Sequence, residues 1–320
     1  MPSLEQLSEF ARRTGYREEV LEKVIRLLEL LADMNRHPDL SQALVLKGGT
    51  ALHLGSGAPR RLSVDLDFNY VGSIDRHVME QERPRLEGAL ARIVQALGYH
   101  AQWSRPAHAG GKCFLNYRNA LGTPDRIEVD VNFLHRQLVL PITVRRLWSP
   151  DPDAGVTANL LSLHELCAGK ICAMLDRMMP RDLYDVAHLP QIAPEVWSSA
   201  LFRAILIALA GALPHPLYSY RRNRGQRFSD EQVRRQLHPT LMKGEAPDIG
   251  ELLERGWALV EPFLDLEERE REFVDRIQLG ELCPELLFPD RPELADRLRQ
   301  HPVLLWKAQN AAAQRRRSRS

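Results

Sequence analysis

The stretch Val45–Tyr70, VLKGGTALHLGSGAPRRLSVDLDFNY, constrains this chain more than any other. Val45-Leu46-Lys47 reads as the end of a short buried strand. Gly48-Gly49-Thr50 reads as a turn into a short helix over Ala51–Leu54, and Ser63–Phe68 as a second strand carrying two carboxylates. Side chains at i and i+2 of a strand share a face, so Asp65 and Asp67 project together while Val64, Leu66 and Phe68 point into a core. Two adjacent carboxylates repel, and a divalent cation is the usual compensation. Mg²⁺ takes oxygen ligands and commonly binds through one or two carboxylates plus substrate phosphates. Gly48 and Gly49 let backbone N–H groups come close to a ligand, and a helix start just after them favours a phosphate. A D-x-D on an exposed strand or a lone Gly-Gly says little. Their order here, strand, Gly-Gly-Thr, helix, Ser-x-Asp-x-Asp, says more.

A second strand carries the same alternation. In Arg126–Phe133, Ile127, Val129, Val131 and Phe133 share one face, and Glu128, Asp130 and Asn132 the other. Upstream, residues 17–36 read as an amphipathic helix with a Val20, Val24, Leu27, Leu28, Leu31 stripe. Asp75–Leu97 reads as a helix interrupted near Pro84, and Tyr99–Ser104 and Lys112–Tyr117 as strands joined by a loop over Pro106–Gly111. Arg60 and Arg61 either contact phosphates or are solvated.

Past Pro141 the pattern turns helical, with a boundary at Asp151-Pro152-Asp153. Helices are expected over Leu161–Met178, Asp182–Leu189, residues 195–212 and, as one long charged helix, Gly250–Gly280. Leu217–Phe228 interleaves Arg221, Arg222, Arg224 and Arg227 with Tyr218, Tyr220 and Phe228, a pattern that suits phosphates and unstacked bases. A solvated basic loop or a site for an acidic protein would look the same. Gln314–Ser320 reads as a basic, disordered tail.

The segment KGGTAL…RLSVDLDF resembles the nucleotidyltransferase signature of the polymerase-beta-like superfamily and, more narrowly, the AbiEii/AbiGii toxin family, which includes the MenT-like nucleotidyltransferase toxins. KICAMLDRMMPRDLYDV resembles that family's second signature, and the likeness spans most of residues 40–310. The resemblance implies an α/β (α+β) fold in two lobes. A nucleotidyltransferase lobe with a mixed sheet would cover residues 1–150, a mostly helical lobe closing the nucleotide cleft residues 151–313, and the tail residues 314–320. It implies that Asp130, with Glu128 as the alternative, joins Asp65 and Asp67 at a Mg²⁺ site, with Mn²⁺ as a substitute. Gly48, Gly49, Thr50 and Ser63 would hold nucleotide phosphates. Lys170 and Asp182 would be active-site members, Lys170 at the triphosphate, and Asp185 structural. The implied activity is transfer of NMP from an NTP to an RNA acceptor, the tRNA 3′ end, which blocks translation. The implied partner is a cognate antitoxin in a toxin–antitoxin or phage-defence system.

Composition bounds the alternatives. Lys plus Arg (43) and Asp plus Glu (42) nearly cancel, so an RNA partner must meet a local patch. Cys113, Cys167, Cys172 and Cys283 fit no metal or redox spacing and read as free thiols in a reducing cytosol. No signal peptide and no run of membrane-spanning length is found, so a cytoplasmic protein without membrane contact is expected. Two other classes share the D-x-D: a transferase acting on a small molecule of the antibiotic type or on a protein, and a noncatalytic nucleotide-binding protein. The arginine-rich run disfavours a cationic drug as acceptor.

Overall fold

The computed structural model describes residues 2–57, 59–105, 110–222 and 228–317. The chain divides into two units. The first comprises residues 1–136, 142–161 and 237–246, and the second residues 137–141, 162–236 and 247–320.

The first unit contains helices α1 (Leu4–Thr14), α2 (Glu18–Arg36), α3 (Pro38–Ala43), α4 (Gly48–Gly55) and α5 (Arg76–Ala96). Its strands are β1 (Leu44–Lys47), β2 (Asp65–Tyr70), β3 (His100–Trp103), β4 (Gly110–Arg118), β5 (Pro124–Asn132), β6 (Thr143–Arg146) and β7 (Thr157–Leu160). They form one mixed sheet in the order β3-β4-β5-β2-β1-β7-β6, with β2–β5 and β1–β7 parallel and the remaining pairs antiparallel. The α2 stripe is buried as its spacing predicts: Val24 and Leu27 are fully inaccessible. Asp75 starts α5 by accepting a hydrogen bond from Val78 N–H at 2.9 Å. Pro84 lies within that helix without ending it.

Two short strands correct the expectation that everything past Pro141 is helical. β6 and β7 extend the sheet, with Leu160 of β7 opposite Leu46 of β1. Residues 237–246 also belong to this unit: Leu62 N–H donates to the Thr240 carbonyl (2.7 Å), and Arg17 to the His238 carbonyl (2.7 Å).

The second unit is helical: α6 (Leu163–Arg177), α7 (Pro180–Ile192), α8 (Pro194–Trp197), α9 (Ala200–Ala210), α10 (Asp230–Gln236), α11 (Ile249–Leu264), α12 (Glu268–Leu279), α13 (Pro292–Arg299) and α14 (Pro302–Arg317). Ser162 caps α6, its hydroxyl accepting from Glu165 N–H at 3.2 Å. Trp197, Phe202 and Phe263 pack as an aromatic triplet with centroids 5.6–5.7 Å apart.

Three expected elements differ here. The apolar stretch 195–212 is two helices, because Ser199 caps the second by accepting from Phe202 N–H (3.0 Å). The long helix expected over Gly250–Gly280 is also two, α11 and α12. Glu267 N–H turns to the Glu270 carboxylate (2.8 Å) to start the second. The basic tail is helical through Arg317 rather than disordered from Gln314, with Arg315 donating to the Leu279 carbonyl at 2.9 Å. No described helix is long and apolar enough to cross a membrane. The four cysteines are free, and burial pushes the Cys113 and Cys167 thiols up to about 12.

Candidate active site

The β1–α4–β2 segment builds the centre of the first unit. β1 runs antiparallel to β2 with Lys47 opposite Asp67, and β5 runs parallel to β2 on its other side. The register pairs Asp65 with Glu128 and Asp67 with Asp130. Neighbouring strands lie about 4.8 Å apart, so Asp65, Asp67, Glu128 and Asp130 share one face of the sheet as two acidic rungs. The opposite face is apolar: Leu66, Ile127 and Val129 are buried.

The glycine pair is explained by what faces it. Gly48 adopts φ +74°, a left-handed conformation, and a Cβ there would run into the Asp67 carboxylate. A Cβ on Gly49 would stand 2.7 Å from Ser63 Oγ and 3.2 Å from the Arg61 guanidinium. The glycines therefore let Asp67 and Ser63 pack against the first turn of α4. That helix starts at Gly48, before the expected start at Ala51, and Lys47 before it supplies no side-chain cap. Its first N–H groups keep the electropositive character that favours an anion. Thr50 Oγ1 donates to the Asp65 carbonyl (2.5 Å), which ties the helix to the strand carrying the aspartate pair. Ser63 is buried beside it.

Arg61 is not solvated: it is 2% exposed, and its Nη1 donates to the Leu62 carbonyl at 2.9 Å. It is part of the packing under the glycine turn.

Lys112 is the residue that sequence reasoning missed. β4 pairs antiparallel with β5 and sets Lys112 opposite Asp130. Its ammonium forms an ion pair with Glu128 and stands 3.8 Å from Asp130 Oδ2. Burial works against its charge, but Glu128, Asp130 and Asp67 outweigh that and hold its pKa above the ordinary lysine value. Asp130 moves upward as well. Burial is the main cause, and the neighbouring Asp67 and Glu128 charges add to it while Lys112 and Lys47 oppose it.

Among the described residues no three Asp, Glu, His or Cys side chains already converge as a metal cage. The donors are all carboxylates on one face, and Lys112 leans on two of them. An oxygen-only, partly open set suits a hard divalent cation whose remaining ligands come from water or phosphate, so the residues fit such an ion.

Lys170 and Asp182 lie in the second unit. Lys170 on α6 ion-pairs with Asp185 on α7 at 2.7 Å; the lysine side chain is 11% exposed and the aspartate fully buried. Asp182, in the first turn of α7, is held by both arms of the Arg177 fork at 2.7 and 2.9 Å. Arg177 is thus an ion-pair partner of Asp182. Of the arginine-rich run, Arg224 and Arg227 lie outside the described residues. Arg221 donates to the Tyr220 carbonyl (2.7 Å), and Arg222 pairs with Glu254. Tyr220 is buried and Tyr218 donates to Asp275 at 2.6 Å, so these two rings serve packing within the unit.

The fold is that of a nucleotidyltransferase. A family profile described as nucleotidyl transferase AbiEii toxin, type IV toxin–antitoxin system, matches residues 29–266, and the chain belongs to that family. The fold is similar to that of MenT4, a nucleotidyltransferase toxin from Mycobacterium tuberculosis H37Rv. The TM-score is 0.57 and the identity 20%, over 92% of this chain and 98% of that one. No curated protein matches the sequence. Family membership implies a nucleoside triphosphate substrate and an antitoxin partner.

Proposed function

We propose that the protein transfers a nucleoside monophosphate from an NTP to the 3′ end of a tRNA, with Mg²⁺ as the working cation, and so blocks translation. The observation that carries this reading is the pairing of Asp67 with Asp130 on the face that Asp65 shares, next to the glycine turn. Asp65, Asp67 and Asp130 hold the cation in this reading, with Mn²⁺ able to substitute. When bound, the ion offsets charge on the phosphates and orients them for in-line displacement.

The chain's own groups do the rest. The N–H groups of Gly48, Gly49 and Thr50 and the Ser63 hydroxyl hold phosphate oxygens. The acceptor hydroxyl forms its bond to the α-phosphorus as the α–β bridging P–O bond breaks. Its proton passes to the Asp130 carboxylate, whose raised pKa suits that task. Pyrophosphate leaves with the bridging oxygen. Lys170 is assigned to the triphosphate, Asp182 to the active site as a further member, and Asp185 to a structural role. The exposed Arg221 and Arg222 are assigned to the acceptor RNA on charge.

The test is made on tRNA from cells expressing the protein in the absence of an antitoxin. Sequencing of tRNA 3′ ends is expected to show added nucleotides, with a matching loss of aminoacylation. Arrested growth with unaltered 3′ ends, from an expressed and folded protein, would move the acceptor to a small molecule or a protein.

A further inference from the structure

Three carboxylates of β2 and β5, and Glu128 beside them, share a face that repels itself unless a positive charge stands close. Lys112 stands close to two of them, Glu128 and Asp130. Lys112 is placed there by register rather than by chance of rotamer: β4 sets it opposite Asp130, and its ammonium spans Glu128 and Asp130. Its stem leaves the sheet beside the acids, and its side chain is 49% exposed, so the head has room to move.

We infer that Lys112 is a built-in stand-in for the cation: paired with Glu128 and 3.8 Å from Asp130, it partly neutralises both carboxylates and weakens divalent-cation binding until it moves away from Asp130. This rests on reading the acidic face as the cation site. The physical reason is competition. A divalent ion held by Asp67 and Asp130 meets the ammonium a few ångströms away, and like charges at that range repel even when partly solvated. The pair already formed with Glu128 keeps a partner for the ammonium outside the aspartate trio as it moves off Asp130, so the lysine need not be expelled into solvent. Glu128, Asp130 and Asp67 are the charges that act on the head, and Lys47 acts with it on Asp130. Lys112 acts through Asp130 and is a positioning residue in this account.

The test is Mn²⁺ titration of the full chain without nucleotide, with free Mn²⁺ followed by electron paramagnetic resonance. Wild type is compared with Lys112→Met, Lys112→Gln, Lys112→Arg and Asp67→Asn, each verified by circular dichroism. Removing the ammonium is expected to tighten Mn²⁺ binding about tenfold. Lys112→Gln gives the same answer if Lys112→Met does not fold. Lys112→Arg keeps the charge and is expected to bind like wild type, and Asp67→Asn to bind far more weakly. Equal or weaker binding by both neutral variants, with wild-type binding intact and sensitive to Asp67→Asn, overturns the inference alone. Absence of Mn²⁺ binding by wild type overturns the inference together with the cation reading.

Discussion

Asp67 stands directly opposite Asp130 across the parallel β2–β5 pair, while Gly48 leaves its Cβ space to the Asp67 carboxylate. The aspartate is thus positioned from two sides, by strand register and by a glycine that can adopt φ +74°.

Asp67→Asn and Asp130→Asn are each expected to lower nucleotidyl transfer by roughly 10²–10³-fold. Each change retains the size of the side chain but removes a charge from a set of carboxylates. Thermal melting should stay close to wild type, which separates loss of the site from loss of the fold.

Gly48→Ala is expected to cost about 1–2 kcal/mol from the left-handed backbone alone. The added methyl also pushes on the Asp67 carboxylate. Denaturant melts report the first effect. Weakened Mn²⁺ binding in protein that is still folded reports the second.

Asp185→Asn leaves Lys170 largely buried without its counter-charge. A loss of about 3–5 kcal/mol is expected from breaking a buried pair on one side. Replacing both members, Lys170→Met with Asp185→Leu, is expected to recover part of that stability because neither member of the pair is then left as a lone buried charge. Transfer activity should not recover with it if Lys170 serves the triphosphate.

Asp130 gives a pH signature. Its pKa is raised in the folded protein, chiefly by burial, so it takes up a proton at a higher pH than an ordinary aspartate. Cation binding should therefore fade on acidification earlier than ordinary carboxylates require, and Asp130→Asn should remove that limb from the binding profile. The stability sign is opposite. The folded metal-free protein holds this proton more tightly than the unfolded chain. Asp130's contribution is present below the unfolded pKa and lost as pH rises through the folded one. Metal-free melts across the acid range check it.

Much of this site is written locally. The i, i+2 spacing of Asp65 and Asp67 and the alternation around Asp130 assign each carboxylate to a strand face before any pairing is known. What alternation cannot supply is register, a long-range property. That Lys112 comes to lie opposite Asp130, and Asp67 opposite it on the other side, depends on strands far apart in sequence. β6 and β7 escaped because four-residue strands among Pro141, Pro150 and Pro152 are too short to show a period. The breaks between α8 and α9 and between α11 and α12 escaped because the apolar stripe continues across them while Ser199 and Glu270 restart the backbone hydrogen bonding. The sequence leaves Arg61 open between phosphate contact and solvation, and only the packing around Gly49 shows that it is buried.

The most direct measurement incubates the purified protein with Mg²⁺, total tRNA and each of the four α-labelled NTPs in turn, beside the Asp65→Ala variant. The account predicts label entering tRNA with at least one NTP in wild type, and none with Asp65→Ala. Folded wild-type protein that binds NTP yet labels no RNA with any of the four would contradict it.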